Sequence, residues 1–232
     1  MDLFNHITKE VIFSAEVPSV KDLLLAAIVA KANLSGADLS WANLSWANLS
    51  GADLSWADLS GVNLSWADLY RANLYRADLS GADLSGANLS GADLSGANLY
   101  RANLYRANLS GADLSGANLY RANLSGADLS GANLYRANLS GANLSGADLF
   151  GTDLSGVNAK INGHSLVQIN GLAYPIFITD TYLHAGCQKH TFAVWRSMTP
   201  ERIAQMDGAR ATEFYPTLIG IIDLFCKDRE AK

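Results

Sequence analysis

The chain has 232 residues and a mass of 24.7 kDa, and 49% of it is hydrophobic, which suits one large or two modest domains and is too apolar for a disordered protein. Lys and Arg number 17 against 22 Asp and Glu, a formal net charge of −5, which argues against a coat for nucleic acid or a polybasic membrane binder. The longest apolar stretch, Leu23 to Ala30, is shorter than the ~20 residues of a membrane span and has neither a basic leader nor a cleavage site beside it, so a soluble cytoplasmic protein with no membrane partner is expected. Two cysteines, Cys187 and Cys226, make no disulfide framework and fit a reducing compartment.

Residues 1–31 read as an N-terminal cap. Apolar residues alternate around a polar turn near Thr8 to Glu10, the pattern of a β-hairpin. Ser19 followed by an acid at Asp22 predicts a helix start, with the apolar run after it forming a short helix over the first coil of the repeat at 32–159. Covering matters because an open β coil presents a row of unpaired amides and carbonyls.

From Leu34 to Leu154 a leucine stands at every fifth position, giving 25 consecutive five-residue units over residues 32–156. Neither a helix, with a period of about 3.6, nor a strand, with a period of about 2, repeats this way. Each unit reads Ala, then Asp or Asn, Leu, Ser or Tyr (Phe at 150), and finally Gly, Trp or Arg, with Val62 and Thr152 as small replacements at the Ala position. Two inward side chains and a polar corner make one side of a coil, and stacked coils bury Leu and Ala together.

After the repeat, Val157-Asn158-Ala159 begins a further unit and the pattern then dissolves, so the repeat domain is placed at 32–159 and a C-terminal α/β cap or domain at 160–232. Two strand-like runs lie around 165–169 and 174–179, separated by the hairpin signal Asn170-Gly171. Thr199-Pro200-Glu201 predicts a short helix over 200–206 ending near Gly208, and a last helix is expected after Pro216.

The runs ANLSGADLS at 32–40 and ANLYRANLYRANLSGADLSGANL at 97–119 closely resemble the pentapeptide-repeat family, whose consensus is A(D/N)LXX. The resemblance implies a mainly β fold, a right-handed quadrilateral β-helix with four pentapeptides per coil and about six coils here. Chains with this repeat often come from bacteria and their phages, and the flanking segments resemble those of phage-encoded members.

With four units per coil, residues 20 apart stack at roughly 4.8 Å, and the surface can be read in rows. One row begins with an acidic stripe, Asp38, Asp58 and Asp78, and continues as Asn98, Asn118 and Asn138; a second runs from Asn43 to Asn143 with Asp83 as its single acid. The Asn positions read as charge relief and amide pairing. Tyr100-Arg101 lies under Tyr120-Arg121, with Tyr105-Arg106 on the next side, a composition that suits protein interfaces and the recognition of carboxylate or phosphate. The bland alternative has Tyr stacking on Tyr while Arg neutralises Asp. Trp41, Trp46, Trp56 and Trp66 hold corner positions, and another part of the chain or another chain is expected to cover them.

No nucleophile with a base, catalytic carboxylate pair or phosphate-binding glycine loop is apparent, so neither an enzyme nor a cofactor is expected. His184, Cys187 and His190 are three zinc-type ligands that would need a fourth, Cys226 or Asp180, from elsewhere, and no metal is assigned. The first functional reading is a non-enzymatic rigid scaffold that engages a protein partner, does not bind nucleic acid directly, and allows a homodimer. A second comes from the resemblance, whose quinolone-resistance members resemble B-form DNA and engage gyrase: a DNA mimic acting on gyrase or on a host defence nuclease. Here 11 Asp and 6 Arg leave −5 on the repeat, against on the order of 17 charges on roughly 30 Å of duplex. A metal-dependent catalytic C-terminal domain is the third.

Overall fold

A computed structural model describes residues 1–144, 147–149, 152–153, 157, 160–161, 164–165, 167–169, 176–178, 182–185 and 188–230. The chain forms two compact units, Met1–Ser165 and Leu166–Lys232. The turn at Asn170-Gly171, the start of a further repeat unit at Asn158-Ala159, Asp180 and Cys187 lie outside the described residues.

The repeat builds its coil from hydrogen bonds that the unit 92–96 illustrates in full. Ala92 N–H donates to the Leu89 carbonyl (3.0 Å), which tightens the corner, and Asp93 N–H reaches back to Ala72 (3.0 Å). Leu94 N–H reaches forward to Asp113 (2.7 Å) and Gly96 N–H to Ser115 (2.8 Å). The remaining donor, Ser95 N–H, is taken by the Asp93 side chain (2.9 Å). All five amides are satisfied, as a half-buried backbone requires. Parallel bridges link residues 20 apart from Asp38↔Asp58 to Asn133↔Asp153, so each turn of the chain consumes four units and has four sides.

Every repeat leucine from Leu34 to Leu149 is buried. Thr152 is tolerated at an Ala position because its hydroxyl, although buried, donates to the Leu129 carbonyl (2.8 Å).

The N-terminal segment closes the start of the coil. Strands β1 (Asp2–Phe4) and β2 (Val11–Ser14) pair antiparallel, and the loop between them docks on the first turn. Asp38 N–H, which has no preceding turn to bond, donates to the Phe4 carbonyl (2.8 Å), and His6 N–H donates to Gly36 (2.8 Å). His6 Nε2 donates to the Trp56 carbonyl (2.8 Å) and Asn5 Nδ2 to Ser35 (3.3 Å). Helix α1 (Val20–Val29) starts as its sequence signal predicts, the Ser19 hydroxyl accepting from Asp22 N–H (3.1 Å); it buries Leu23, Leu24 and Ala27. Beyond the repeat, β3 (Lys160–Ile161) and β4 (His164–Ser165) form a short antiparallel pair.

The second unit is an antiparallel sheet of β5 (Val167–Ile169), β6 (Ile176–Ile178), β7 (Tyr182–Ala185) and β8 (Gln188–Thr191), in that order, followed by α2 (Phe192–Arg196) and α3 (Pro200–Glu230). Its core gathers Ile178, Leu183, Trp195, Ile203, Phe214, Leu218 and Ile222. Trp195 Nε1 donates to the Leu183 carbonyl (2.8 Å), and the Tyr215 hydroxyl donates to the Trp195 carbonyl. The expected helix over 200–206 does start at Thr199, whose hydroxyl accepts from Arg202 N–H (3.4 Å), but neither Gly208 nor Pro216 ends it. One helix of 31 residues carries through both. Ile203, Ala211, Phe214, Leu218 and Ile222 are buried along it, and burial on both sides of the weak positions outweighs their local cost.

Candidate interaction surface

The corners carry the features that the repeat's consensus leaves variable. In the described units the fifth residue sits in the left-handed region, with φ between 62° and 72° for twelve glycines. At ten other corners the residue is Trp or Arg, with φ between 52° and 62°. Glycine adopts this conformation without strain, whereas a residue with a Cβ gives up about 1 kcal/mol or more. Large side chains therefore stand at positions where the backbone favours their absence.

Bulky corners such as Trp41, Trp66, Arg76, Arg106 and Arg121 lean toward the corner 20 residues on. A Cβ added at Gly61 would meet the Trp41 ring at 2.6 Å, and one added at Gly86 would meet the Trp66 ring at 2.8 Å, whereas Gly81 and Gly111 have nothing within 4 Å. Where a Trp corner is followed by another bulky corner, the two stack. Trp46 and Trp66 are parallel with centroids 5.5 Å apart, Arg76 lies 4.9 Å over the Trp56 ring, and Tyr75 meets Trp56 edge-on.

Tyr100 and Tyr120 stack at 5.9 Å and 7°, the Tyr-on-Tyr arrangement expected from the rows. Arg101 and Arg121 each lie 5.1 Å over the ring of the tyrosine before them, and Arg106 lies 5.0 Å over Tyr105. The Arg side chains thus pack on aromatic faces, which fixes the guanidinium planes and leaves their N–H edges for a ligand. The tryptophans are open: Trp41 is 80% exposed, Trp46 71%, Trp66 56% and Trp56 43%. Within the first unit the described residues leave these rings largely open, because they lie outward along the corners instead of folding into the Leu-filled interior.

Asp38, Asp58 and Asp78 do stack through consecutive bridges, and they are half-buried rather than fully outward. Their Oδ1 atoms accept the N–H groups of Ser40 (3.3 Å), Ser60 (3.0 Å) and Ser80 (2.9 Å). This is the job that selects Asp or Asn at the second position of every unit, and outward display alone does not predict it. The amide ladder runs one way: Asn98 Nδ2 donates to Asp78 (3.0 Å), Asn118 to Asn98 (3.1 Å) and Asn138 to Asn118 (3.2 Å).

In the second unit, β7 and β8 pair Leu183 with His190 and His184 with Lys189, so alternation puts the two histidine positions on opposite faces of the sheet. The His190 ring meets Trp195 edge-on at 5.0 Å; burial and then the charge of Arg202 hold it below its ordinary pKa. Among the described residues no group of three His, Cys, Asp or Glu is placed to hold a metal, and no helix is long and apolar enough to cross a membrane.

A four-sided coil with Leu inside, Asx-closed corners and a 20-residue turn defines a solenoid of five-residue sides. The family model described as pentapeptide repeats matches it in eight copies over residues 30–51, 37–75, 47–86, 77–116 and 117–156. These matches run unbroken through more than half of the 232 residues, and the chain belongs to the pentapeptide repeat family, whose members fold as right-handed quadrilateral β-helices. Among solved structures it is similar to Rfr23 of the cyanobacterium Cyanothece 51142, at 29% identity over 62% of this chain and 97% of that one, with a TM-score of 0.42. A pentapeptide repeat protein from the Arabidopsis thaliana thylakoid lumen is 39% identical over 38% of this chain and 65% of that one, with a TM-score of 0.34. The plasmid-mediated fluoroquinolone resistance protein QnrB1 is 27% identical over 55% of this chain and 72% of that one, with a TM-score of 0.31. No curated protein matches the chain.

Proposed function

We propose that this protein is a non-enzymatic binding scaffold, a rigid solenoid whose Trp and Tyr-Arg corners dock a protein partner. One observation carries the reading: ten exposed or part-exposed corners hold Trp or Arg at positive φ, where glycine would be strain-free. Side chains kept at a local cost and turned to solvent are of the kinds that supply interface anchors. Mimicry of duplex DNA has less support, since the Asp38, Asp58 and Asp78 carboxylates are engaged in closing corners.

The test is affinity capture from bacterial lysate with the wild-type chain and with a variant carrying Trp46→Gly, Trp66→Gly, Arg101→Gly and Arg121→Gly. Glycine suits these backbones, so the variant is expected to melt at or near the wild-type temperature while losing its protein partner. Capture of the same partner by the variant overturns the reading. Loss of that partner instead on changing Asp38, Asp58 and Asp78 to Lys, with steep salt sensitivity, puts DNA mimicry in its place.

A further inference from the structure

The four sides of the solenoid are unequal in charge. The side that runs from the corner at residue 41 to the corner at residue 46, and recurs every 20 residues, carries the row Asn43, Asn63, Asp83, Asn103, Asn123 and Asn143. Its one carboxylate, on Asp83, accepts from Ser85 N–H and from Asn103 Nδ2, both at 3.0 Å. The two corners that flank this side hold Arg101, Arg106 and Arg121. Three guanidiniums against one carboxylate leave +2 here; counted the same way, with both flanking corners, the side through Asp38, Asp58 and Asp78 is +1 and the other two are −1 each. The same two corners hold Trp41, Trp46 and Trp66, three of the four exposed tryptophans.

We propose that this side is the docking face for an acidic segment of a partner protein that carries an apolar residue at one end. The proposal rests on the scaffold reading and adds to it the face, the polarity and the partner's chemistry. Along the axis the tryptophans occupy the first turns and the arginines later ones. Trp46 and Arg106 are three turns apart and Trp41 and Arg121 four, which at ~4.8 Å per turn is roughly 14 to 19 Å, the reach of about five or six extended residues.

Arg101 and Arg121 stand one turn apart on stacked tyrosines. Two like charges so placed repel, and a carboxylate bridging their N–H edges turns that repulsion into two charge-assisted hydrogen bonds. The Asn ladder between the corners spends its amides internally, Asn123 on Asn103 (3.0 Å) and Asn143 on Asn123 (3.4 Å), so beside the arginines the centre of the face is uncharged and Asp83 is its one carboxylate. The two net-negative sides disfavour an acidic partner, and this side, the most positive of the four, draws it. Duplex DNA fits less well: over the same length it brings about eight to eleven charges against three guanidiniums.

The probe is a fluorescein-labelled twelve-residue peptide of alternating Glu and Gly ending in Leu-Phe, titrated with the full chain and read by anisotropy at low and high salt. Binding that weakens with salt and is absent for the Gln-for-Glu peptide is expected. Arg101→Gly with Arg121→Gly should weaken it by about tenfold or more. Arg71→Gly with Arg136→Gly, the same Arg-on-Tyr chemistry on other corners, should leave it unchanged.

Equal binding of the Gln peptide, equal losses in both double variants, or tighter binding of a duplex of matching length overturns the proposal. So does self-association in sedimentation that the first double variant abolishes, which would seat a second copy on this face. If the lysate partner is lost only with Arg71 and Arg136, the scaffold reading stands and the face assignment falls.

Discussion

Leu94 and Trp195 are both buried, by different means. Leu94 lies in a coil whose neighbouring turns repeat its own unit, and its amide bonds a residue 19 positions ahead. Trp195 belongs to a core drawn from β6, β7, α2 and α3, and its indole and carbonyl are held by Leu183 and Tyr215. In the first case the environment is set by period, so stability is a sum over turns and their interfaces. In the second it is set by a single convergence of elements, and loss of one member is felt by the whole core.

Leu94→Asp is the harshest test of that contrast. It buries a carboxylate without a partner and should break the stack at that turn, seen as a loss of β-type circular dichroism and a lower melting temperature of the repeat. Wild-type melting would mean that Leu is not the inward residue. Leu94→Ala should cost about 2 to 5 kcal/mol.

Trp195→Phe is milder. It leaves the Leu183 carbonyl without its 2.8 Å donor and should cost about 1 to 3 kcal/mol, in the transition of the C-terminal unit alone. An equal shift in the melting of the repeat would show that the two units do not unfold separately.

The corners allow a finer comparison inside the repeat. Gly81 and Gly86 have φ of 67° and 66°, and only Gly86 lies under a Trp ring. Each change to Ala carries a similar backbone cost, so the excess for Gly86→Ala over Gly81→Ala, about 1 kcal/mol, isolates the clash with Trp66. In a Trp66→Gly background the excess should vanish.

The smallest effect is on pH. His190 is held below its ordinary value of 6.5, first by burial and then by Arg202, so the unfolded chain binds the proton more readily than the folded one. Stability of the C-terminal unit should therefore fall as pH drops below about 6.5, and the decline should flatten once the folded His190 is itself protonated. A His190→Gln variant should lack this part of the pH dependence when unfolding is followed by Trp195 fluorescence.

Legibility in the sequence divides along the same line. The leucine period, the Ser19 cap, the Thr199 cap and the row stacking of Trp46 on Trp66 and Tyr100 on Tyr120 are local or periodic signals, and they reappear in the structure. The continuation of α3 through Gly208 and Pro216 is not legible, because it depends on a core assembled from distant elements. Strands β7 and β8 and helix α2 are hidden for a similar reason, being short and dependent on their pairing partners. At the corners the signal is present in a form that composition alone does not decode. Glycine alternates there with Trp and Arg, which marks a left-handed backbone, and the bonding of Asx side chains to the amide two residues on is what the D/N choice records.

The docking of Phe4, Asn5 and His6 on Ser35, Gly36 and Asp38 also bears on how the chain is made. The hairpin and α1 precede the repeat and leave the ribosome before it, so the earliest turn has a finished surface to fold upon. At ~5 to 20 residues per second, each later 20-residue turn emerges over about one to four seconds, far longer than a short hairpin takes to form. The solenoid can thus be laid down as courses of brick, one turn at a time, with a single open edge exposed at any moment and no long-range search for partners among 25 near-identical units.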